Sequence, residues 1–167
     1  MVFIFTPIEN LPERPSSVKV FIMLVEFFNL ARTGLSPLQA IAWLAEKYSR
    51  PENTEQRIFI WTRDREQAGE VDAWLWSYSP VSFLPHALAD FPEAEDEPIL
   101  ISPELNNINR ADTLLLAFNP PASWTPDPGF RRVIELIPSQ PGPELEAGRH
   151  RYRMLSKKYK LLHTTEI

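Results

Sequence analysis

The chain of 167 residues contains no cysteine. Disulfide bonds, thiolate metal sites and a cysteine nucleophile are therefore all excluded. Neither the fold nor the chemistry of the protein can depend on an oxidising compartment, which is where disulfides form and persist. The composition thus favours a protein of the reducing cytoplasm.

Glycine is also scarce, with five residues in the whole chain. The region expected to hold the first strand-to-helix turn, residues 27–37, contains only Gly34. A dinucleotide-binding turn needs three glycines and a P-loop needs a Gly-Lys-Ser/Thr ending, because the backbone must approach a phosphate closely. The turn that presents a serine nucleophile, Gly-x-Ser-x-Gly, is missing as well. We therefore predict no cofactor and no catalytic residue; a nucleotide-binding or enzymatic α/β domain is the alternative.

Candidate metal ligands are few. The three histidines are His86, His150 and His163, and no two have the spacing that lets them ligate one ion from a single helical face. Acidic residues gather in 90–97, where five of eight residues are Asp or Glu. Self-repulsion and solvation explain such a segment as a loop without any acid–base role. The sequence predicts no metal site.

No hydrophobic run is long enough to cross a membrane. The longest, residues 20–25, is followed at once by Glu26, whereas a transmembrane helix needs about 20 apolar residues. The N-terminus lacks the basic lead, apolar stretch and small-residue cleavage site of a secretory signal. We therefore expect a soluble cytoplasmic protein without a membrane partner.

Positive charge is concentrated towards the C-terminus, although the net charge is -5. Residues 1–130 hold 9 basic and 18 acidic groups, whereas residues 131–167 hold 8 basic and 4 acidic groups. Phosphate neutralisation dominates nucleic-acid binding, so the acidic body argues against a direct nucleic-acid partner. A small basic patch on such a body fits an acidic peptide better than a duplex. Direct nucleic-acid binding through residues 149–160 is an alternative supported by charge alone.

The chain contains 17 prolines, which predict many irregular connections between short elements. Residues 1–17 are interpreted as an irregular N-terminal leader and residues 18–167 as one α/β domain. Apolar and β-branched runs predict buried strands, and helical apolar spacing predicts helices, one of them begun by Ser36 and Pro37. The predicted strands are 18–27, 57–62, 99–101, 113–118 and 132–137, and the helices 38–48, 64–78 and 144–159. This alternation predicts a three-layer, mostly parallel sheet flanked by helices, Rossmann-like without a nucleotide site.

Residues 72–86 concentrate aromatic rings and two prolines where a helix end runs into an extended arm. Helical spacing buries one face of that helix and leaves Trp74 and Trp76 directed elsewhere. The arm then either closes an open end of the core, with His86 bonded to a backbone group, or docks a partner.

A second candidate surface lies on the C-terminal helix. Arg149, Tyr152 and Arg153 are spaced at i, i+3 and i+4 and so share one helical face. Ile137 ends the preceding strand. Two arginines beside a tyrosine and an apolar side chain can clamp a carboxylate while accepting a hydrophobic group. An ordinary solvated basic helix is the alternative interpretation.

Taken together, these segments resemble the chi subunit of bacterial DNA polymerase III, an accessory protein of the clamp-loader complex. The likeness runs from about Val18 to His163. It is carried by an ordered set of motifs: Asp72-x-x-Leu75-Trp76, Ser82-Phe83-Leu84-Pro85-His86, Pro98-Ile99, Leu114-Leu115, Glu135-Leu136-Ile137-Pro138 and Arg149-x-Arg151-Tyr152-Arg153. The resemblance implies a nucleotide-binding fold without a nucleotide and without catalytic activity.

The same resemblance implies two protein partners. The first is the psi subunit of the clamp loader, bound by the residues that match the family's docking arm, and a damage-response helicase competes for that surface. The second is the acidic C-terminal tail of single-stranded DNA-binding protein, which ends in phenylalanine. The psi or helicase site comprises Trp76, Phe83, Pro85 and His86, and the tail site comprises Ile137, Arg149, Tyr152 and Arg153.

The chain departs from the family pattern in three places. Residues 1–17 form an additional leader, and the first strand-to-helix turn is longer than expected. Ser156 occupies a position where the family often has a basic residue, for which Lys157 or Lys158 can substitute.

Overall fold

Helix starts in the folded protein follow the capping signals of the sequence. The structure is a computed structural model that describes residues 23–49, 56–79, 81 and 83–165. Ser36 begins the second helix with a capping box, in which its hydroxyl accepts from the Gln39 amide and the Gln39 side chain accepts from the Ser36 amide. The helices are α1 (Leu30–Thr33), α2 (Pro37–Tyr48), α3 (Arg65–Ser77) and α4 (Pro143–Leu155), with a 3-10 turn at Ala94–Asp96.

Seven strands of the described residues form one sheet, and every pairing in it is parallel. The strands are β1 (Leu24–Asn29), β2 (Ile58–Trp61), β3 (His86–Leu88), β4 (Ile99–Ser102), β5 (Thr113–Leu116), β6 (Arg132–Ile137) and β7 (Lys160–Thr164). Their order across the sheet is β3-β4-β2-β5-β6-β1-β7. The predicted parallel α/β fold is confirmed, and β3 and β7 form its two edges.

The two faces of the sheet carry separate hydrophobic clusters. Side chains alternate along a strand, so Ile58 and Ile60 of β2 join the cluster under α2 and α3, whereas Phe59 joins the cluster under α4. Both faces are covered, so β4 and β5 are mostly apolar and are buried along their whole length. The architecture therefore has three layers, with α2 and α3 on one side and α4 on the other.

The main differences between prediction and structure are two element ends and two unpredicted strands. The first strand runs to Asn29 rather than residue 27, and the leader 1–17 with the start of that strand lies outside the described residues. The last helix ends at Leu155 rather than residue 159, and the chain then forms β7. Strand β3 was not predicted either. Both missed strands are short edge strands, whose formation depends on pairing with distant residues more than on local composition.

A buried carboxylate joins β1, the strand next to the β7 edge of the sheet, to α2. Glu26 accepts hydrogen bonds from the Tyr48 hydroxyl at 2.8 Å, from Arg132 Nη1 at 2.9 Å and from the Thr164 hydroxyl at 2.6 Å. Burial and the neighbouring carboxylate raise the pKa of Tyr48 above its ordinary value. The network ties β1 to β6, β7 and α2, and it fixes the position of the C-terminal strand.

Candidate functional site: a cationic pocket and an aromatic surface

A pocket of about 330 Å³ opens at the carboxyl ends of β1, β6 and β7, beside α4. In open parallel sheets this is the edge at which ligands usually bind. Its lining includes all four residues predicted for the tail site, Ile137, Arg149, Tyr152 and Arg153, together with Phe27, Asn29, Leu145, Gly148, His163 and Thr165. The structure thus brings the four predicted residues together around one cavity. We call it the cationic pocket.

Helix α4 approaches the sheet closely because Gly148 has no side chain. A Cβ at this position would lie 3.3 Å from Glu135 Oε1 and 3.4 Å from Ile137 Cδ1. The contact with Glu135 requires a shift of a few tenths of an ångström, whereas the distance to Ile137 is at the short end of ordinary van der Waals contact. Gly148 therefore sets the depth of the pocket wall between the helix and β6.

The helix is also held by an ion pair beneath it. Arg151 and Glu135 are each about 1% exposed, and Arg151 Nε lies 3.1 Å from both carboxylate oxygens. Arg151 Nη2 donates to Glu135 as well, and Nη1 donates to the Pro120 carbonyl. Burial raises the pKa of Glu135 above its ordinary value, while Arg151 acts in the opposite direction. Arg151 thus anchors α4 and leaves Arg149 and Arg153 facing solvent.

The cations of the pocket differ in their present partners. Arg149 Nη1 lies 2.6 Å from Glu146 Oε1, one turn earlier on α4. Arg153 has no carboxylate partner within the part of the chain that the structure describes. A ligand carboxylate would be attracted by both guanidinium groups. It would compete with Glu146 for Arg149.

Aromatic rings form the apolar wall of the pocket. The Phe27 and Tyr152 rings meet edge to face with centroids 5.2 Å apart. His163 of β7 lies beside them, with Nε2 3.2 Å from the Tyr152 hydroxyl. Sequence reasoning missed Phe27, Gly148 and His163 as pocket residues. They come from β1, α4 and β7, and no local spacing connects them.

The residues predicted for psi binding lie at the other edge of the sheet, near the start of β3. Trp76 is 61% exposed and Phe83 is 72% exposed, and their ring centroids are 6.0 Å apart. Pro85 is half-buried and His86 is buried, with 8% of its surface exposed. The exposed rings of Trp76 and Phe83 form what we call the aromatic surface.

His86 supports the aromatic surface from below. Its ring lies 4.9 Å from the Trp76 ring, its Nδ1 contacts the Leu84 carbonyl, and its Nε2 lies 3.5 Å from Asp72 Oδ1. The buried Leu84 joins the hydrophobic cluster under α2 and α3. The arm therefore closes the core through Leu84 and leaves the neighbouring Phe83 exposed, and the docking of a partner there stays a prediction. Trp74, expected to point away from the core, packs against that cluster instead.

The two surfaces are far apart. The aromatic surface lies beside β3 and the cationic pocket beside β7, which are opposite edges of the sheet. Six inter-strand spacings separate those edges, roughly 29 Å at about 4.8 Å each. Helices α3 and α4 also lie on opposite faces. One ligand of modest size cannot span both surfaces.

The connection between β1 and α2 consists of the short helix α1 and a tight turn at Gly34, and it contains no phosphate-binding loop. Gly34 ends α1 with φ 72°, the left-handed conformation that glycine adopts without strain. Among the residues described, no group of three His, Asp or Glu side chains is arranged to hold a metal ion. No helix in the described ranges is long and apolar enough to span a membrane.

Comparison with known proteins gives consistent matches. The sequence profile of the family described as DNA polymerase III chi subunit, HolC, matches residues 22–161. The chain is similar to the DNA polymerase III subunit chi of Pseudomonas aeruginosa, with 31% identity over 117 residues, which are 70% of this chain and 76% of that protein. It is also similar to the probable DNA polymerase III subunit chi of Rickettsia prowazekii, with 36% identity over 81 residues, 47% of this chain and 46% of that protein.

Proposed function

The chain belongs to the DNA polymerase III chi subunit family and so has an accessory role in DNA replication, and from that premise we propose that it is a non-catalytic adaptor. It binds the psi subunit of the clamp loader through the aromatic surface. It binds the acidic C-terminal tail of single-stranded DNA-binding protein in the cationic pocket. The observation that carries the proposal is the presence of two surfaces of opposite chemistry at opposite edges of one sheet.

The chemistry of the cationic pocket supports a peptide that ends in a phenylalanine carboxylate. Arg149 and Arg153 supply a cationic pair for the terminal carboxylate, and charge-assisted hydrogen bonds of this type are short and strong. Ile137 and the Phe27 ring supply an apolar wall for the phenyl group. The volume of about 330 Å³ suits one aromatic side chain with its carboxylate.

Positive charge beyond the pocket supports acidic residues upstream in such a peptide. Ser156 is the C-cap residue of α4, and its uncharged hydroxyl donates to the Arg153 carbonyl. The neighbouring Lys157 and Lys158 are exposed. We propose that these lysines take the part of the basic residue that Ser156 replaces.

The aromatic surface supports a protein partner rather than a charged ligand. Two adjacent rings that expose most of their area to water are energetically unfavourable unless a partner covers them, and such rings are typical anchors of interfaces. His86 packs against the Trp76 ring and orients it, and the half-buried Pro85 immediately precedes His86 in the arm. We propose that psi covers these rings, and that a damage-response helicase competes for the same area.

Separation of the surfaces makes simultaneous binding the central test. Psi and an acidic peptide ending in Asp-Ile-Pro-Phe are titrated into the protein separately and together. Independent sites predict the same peptide affinity with and without saturating psi. A peptide that fails to bind at low salt overturns the pocket assignment, and a peptide displaced by psi overturns the two-site adaptor.

The proposal also excludes a nucleotide-dependent activity. The turn after β1 offers one glycine and no P-loop lysine. A thermal-shift screen with nucleotides is expected to leave the unfolding temperature unchanged. A reproducible stabilisation by any nucleotide would favour the enzymatic alternative instead.

A further inference from the structure

His163 forms the wall of the cationic pocket that belongs to the edge strand β7. Its imidazole stacks on Phe27, with ring centroids 6.1 Å apart and planes at 25°. The Tyr152 ring of α4 has its centroid 5.1 Å from that of the imidazole, and the Tyr152 hydroxyl is 3.2 Å from His163 Nε2. The imidazole is therefore coupled directly to a residue proposed to bind the peptide.

The protonation state of His163 decides which donors the pocket offers. With its proton on Nδ1 alone, the ring accepts at Nε2 and uses up the hydroxyl proton of Tyr152. With its proton on Nε2 alone, the ring leaves a lone pair on Nδ1, which repels a carboxylate. Only the imidazolium donates from both nitrogens, so that the Tyr152 hydroxyl proton is also free for a ligand.

Among the described residues, the charged groups at this site are two arginines and one carboxylate. Arg149 and Arg153 line the pocket from α4, and Glu146 faces Arg149. From β1 the imidazole meets Phe27, and Asn29 lines the same cavity, neither of which is charged. A bound carboxylate would place a new negative charge beside the imidazole, and an adjacent opposite charge favours the charged form of a titratable group.

From this geometry we propose that His163 is a further specificity-determining residue of the cationic pocket, and that the pocket takes up a proton on His163 when a carboxylate-terminated peptide binds. The inference rests on the proposed function of that pocket. By linkage, the same coupling makes the peptide bind more tightly at lower pH. The pocket would thus prefer peptides whose terminal carboxylate reaches the imidazole.

The test is calorimetry of the full chain with an N-acetylated acidic peptide ending in Asp-Ile-Pro-Phe. Titrations near neutral pH in buffers with different ionisation enthalpies measure protons exchanged on binding. We expect net uptake of a fraction of one proton per peptide. Affinity is expected to fall roughly three- to tenfold between about pH 6 and about pH 8, the range in which imidazoles titrate.

Three variants separate the role of His163 from general effects. His163→Gln is expected to abolish proton uptake and to flatten the pH dependence. His163→Phe keeps an aromatic ring against Phe27 but removes both nitrogens, so a folded variant with normal uptake would overturn the inference. His150→Gln is the matched control, because His150 is an exposed histidine of α4 outside the pocket lining, and it is expected to keep the uptake of the parent.

The outcomes distinguish this inference from the function on which it rests. Peptide binding by the parent without proton uptake overturns the role of His163 and leaves the pocket assignment standing. Absence of peptide binding at both ends of the pH range overturns the proposed function and this inference with it.

Discussion

Arg151 and Glu135 form a fully buried ion pair that fastens α4 to β6 directly behind the cationic pocket. Removing one member of such a pair leaves an uncompensated charge in the protein interior, whereas replacing both members with apolar residues leaves no buried charge. The pair therefore holds the pocket in shape by a contact that no ligand touches.

The first prediction concerns this pair. Arg151→Met and Glu135→Leu are each expected to lower the free energy of unfolding by about 3–5 kcal/mol, because each leaves its partner charged and buried. The double variant is expected to recover most of that loss. Urea denaturation of the three variants and the parent measures the coupling, and strictly additive losses would contradict the assignment.

The second prediction concerns the close approach of α4 to the sheet. Gly148→Ala is expected to lower the free energy of unfolding by about 1–3 kcal/mol, because its methyl group meets Glu135 and Ile137. Gly69→Ala is the matched control on α3, where a methyl group meets nothing within 4 Å. That control is expected to gain up to about 1 kcal/mol from helix propensity. Equal responses to the two substitutions would show that α4 adjusts freely.

The third prediction concerns the carboxylate clamp. Arg149→Ala is expected to weaken binding of the Asp-Ile-Pro-Phe peptide by about ten- to a hundredfold, since it removes a charge-assisted hydrogen bond. Arg65→Ala is the control, because Arg65 is an exposed arginine of α3 on the opposite face. Calorimetry at low salt measures both, and Arg149→Ala with the affinity of the parent would exclude the pocket. Added salt is expected to weaken binding by the parent.

The fourth prediction concerns the internal competitor of the clamp. Glu146 lies 2.6 Å from Arg149 in the free protein and must release it to a ligand. Glu146→Gln is expected to strengthen peptide binding by up to about fivefold, in line with the small energies of exposed ion pairs. The gain is expected to disappear in the Arg149→Ala background. A gain that persists there would mean that Glu146 acts through the general field instead.

The fifth prediction concerns the aromatic surface. Phe83→Ala is expected to abolish co-purification with psi while leaving peptide affinity and the unfolding free energy within about 0.5 kcal/mol of the parent, because the ring is mostly exposed. Phe91→Ala is the control, since Phe91 is 60% exposed and lies beyond the other end of β3. Loss of psi binding in both variants, or loss of stability in Phe83→Ala, would contradict the assignment.

Much of the fold is readable from local sequence. Ser36 and Pro37 predict the start of α2, and the apolar spacing that follows predicts its buried face. Both signals are local, because helix capping and amphipathic spacing involve residues only a few positions apart. The short apolar runs of β2 and β5 likewise predict buried parallel strands, because a strand covered on both faces is apolar on both. The spacing of Arg149, Tyr152 and Arg153 likewise places them on one helical face.

Other features depend on residues far apart in the chain. Strand β7 has a mixed, mostly exposed sequence, and it forms because β1 offers it an open edge and Glu26 accepts a hydrogen bond from Thr164. The burial of His86 beneath Trp76 also requires α3 and β3 to meet.

The chain alone thus indicates the layered α/β fold, the cationic helix face and an aromatic arm, since these follow from periodicity and side-chain type. Only the folded molecule brings Phe27, Gly148 and His163 around that helix face, and only it separates the pocket and the aromatic surface to opposite edges. The reason is physical: strand order and edge pairing are set by packing between distant segments, which local spacing does not encode.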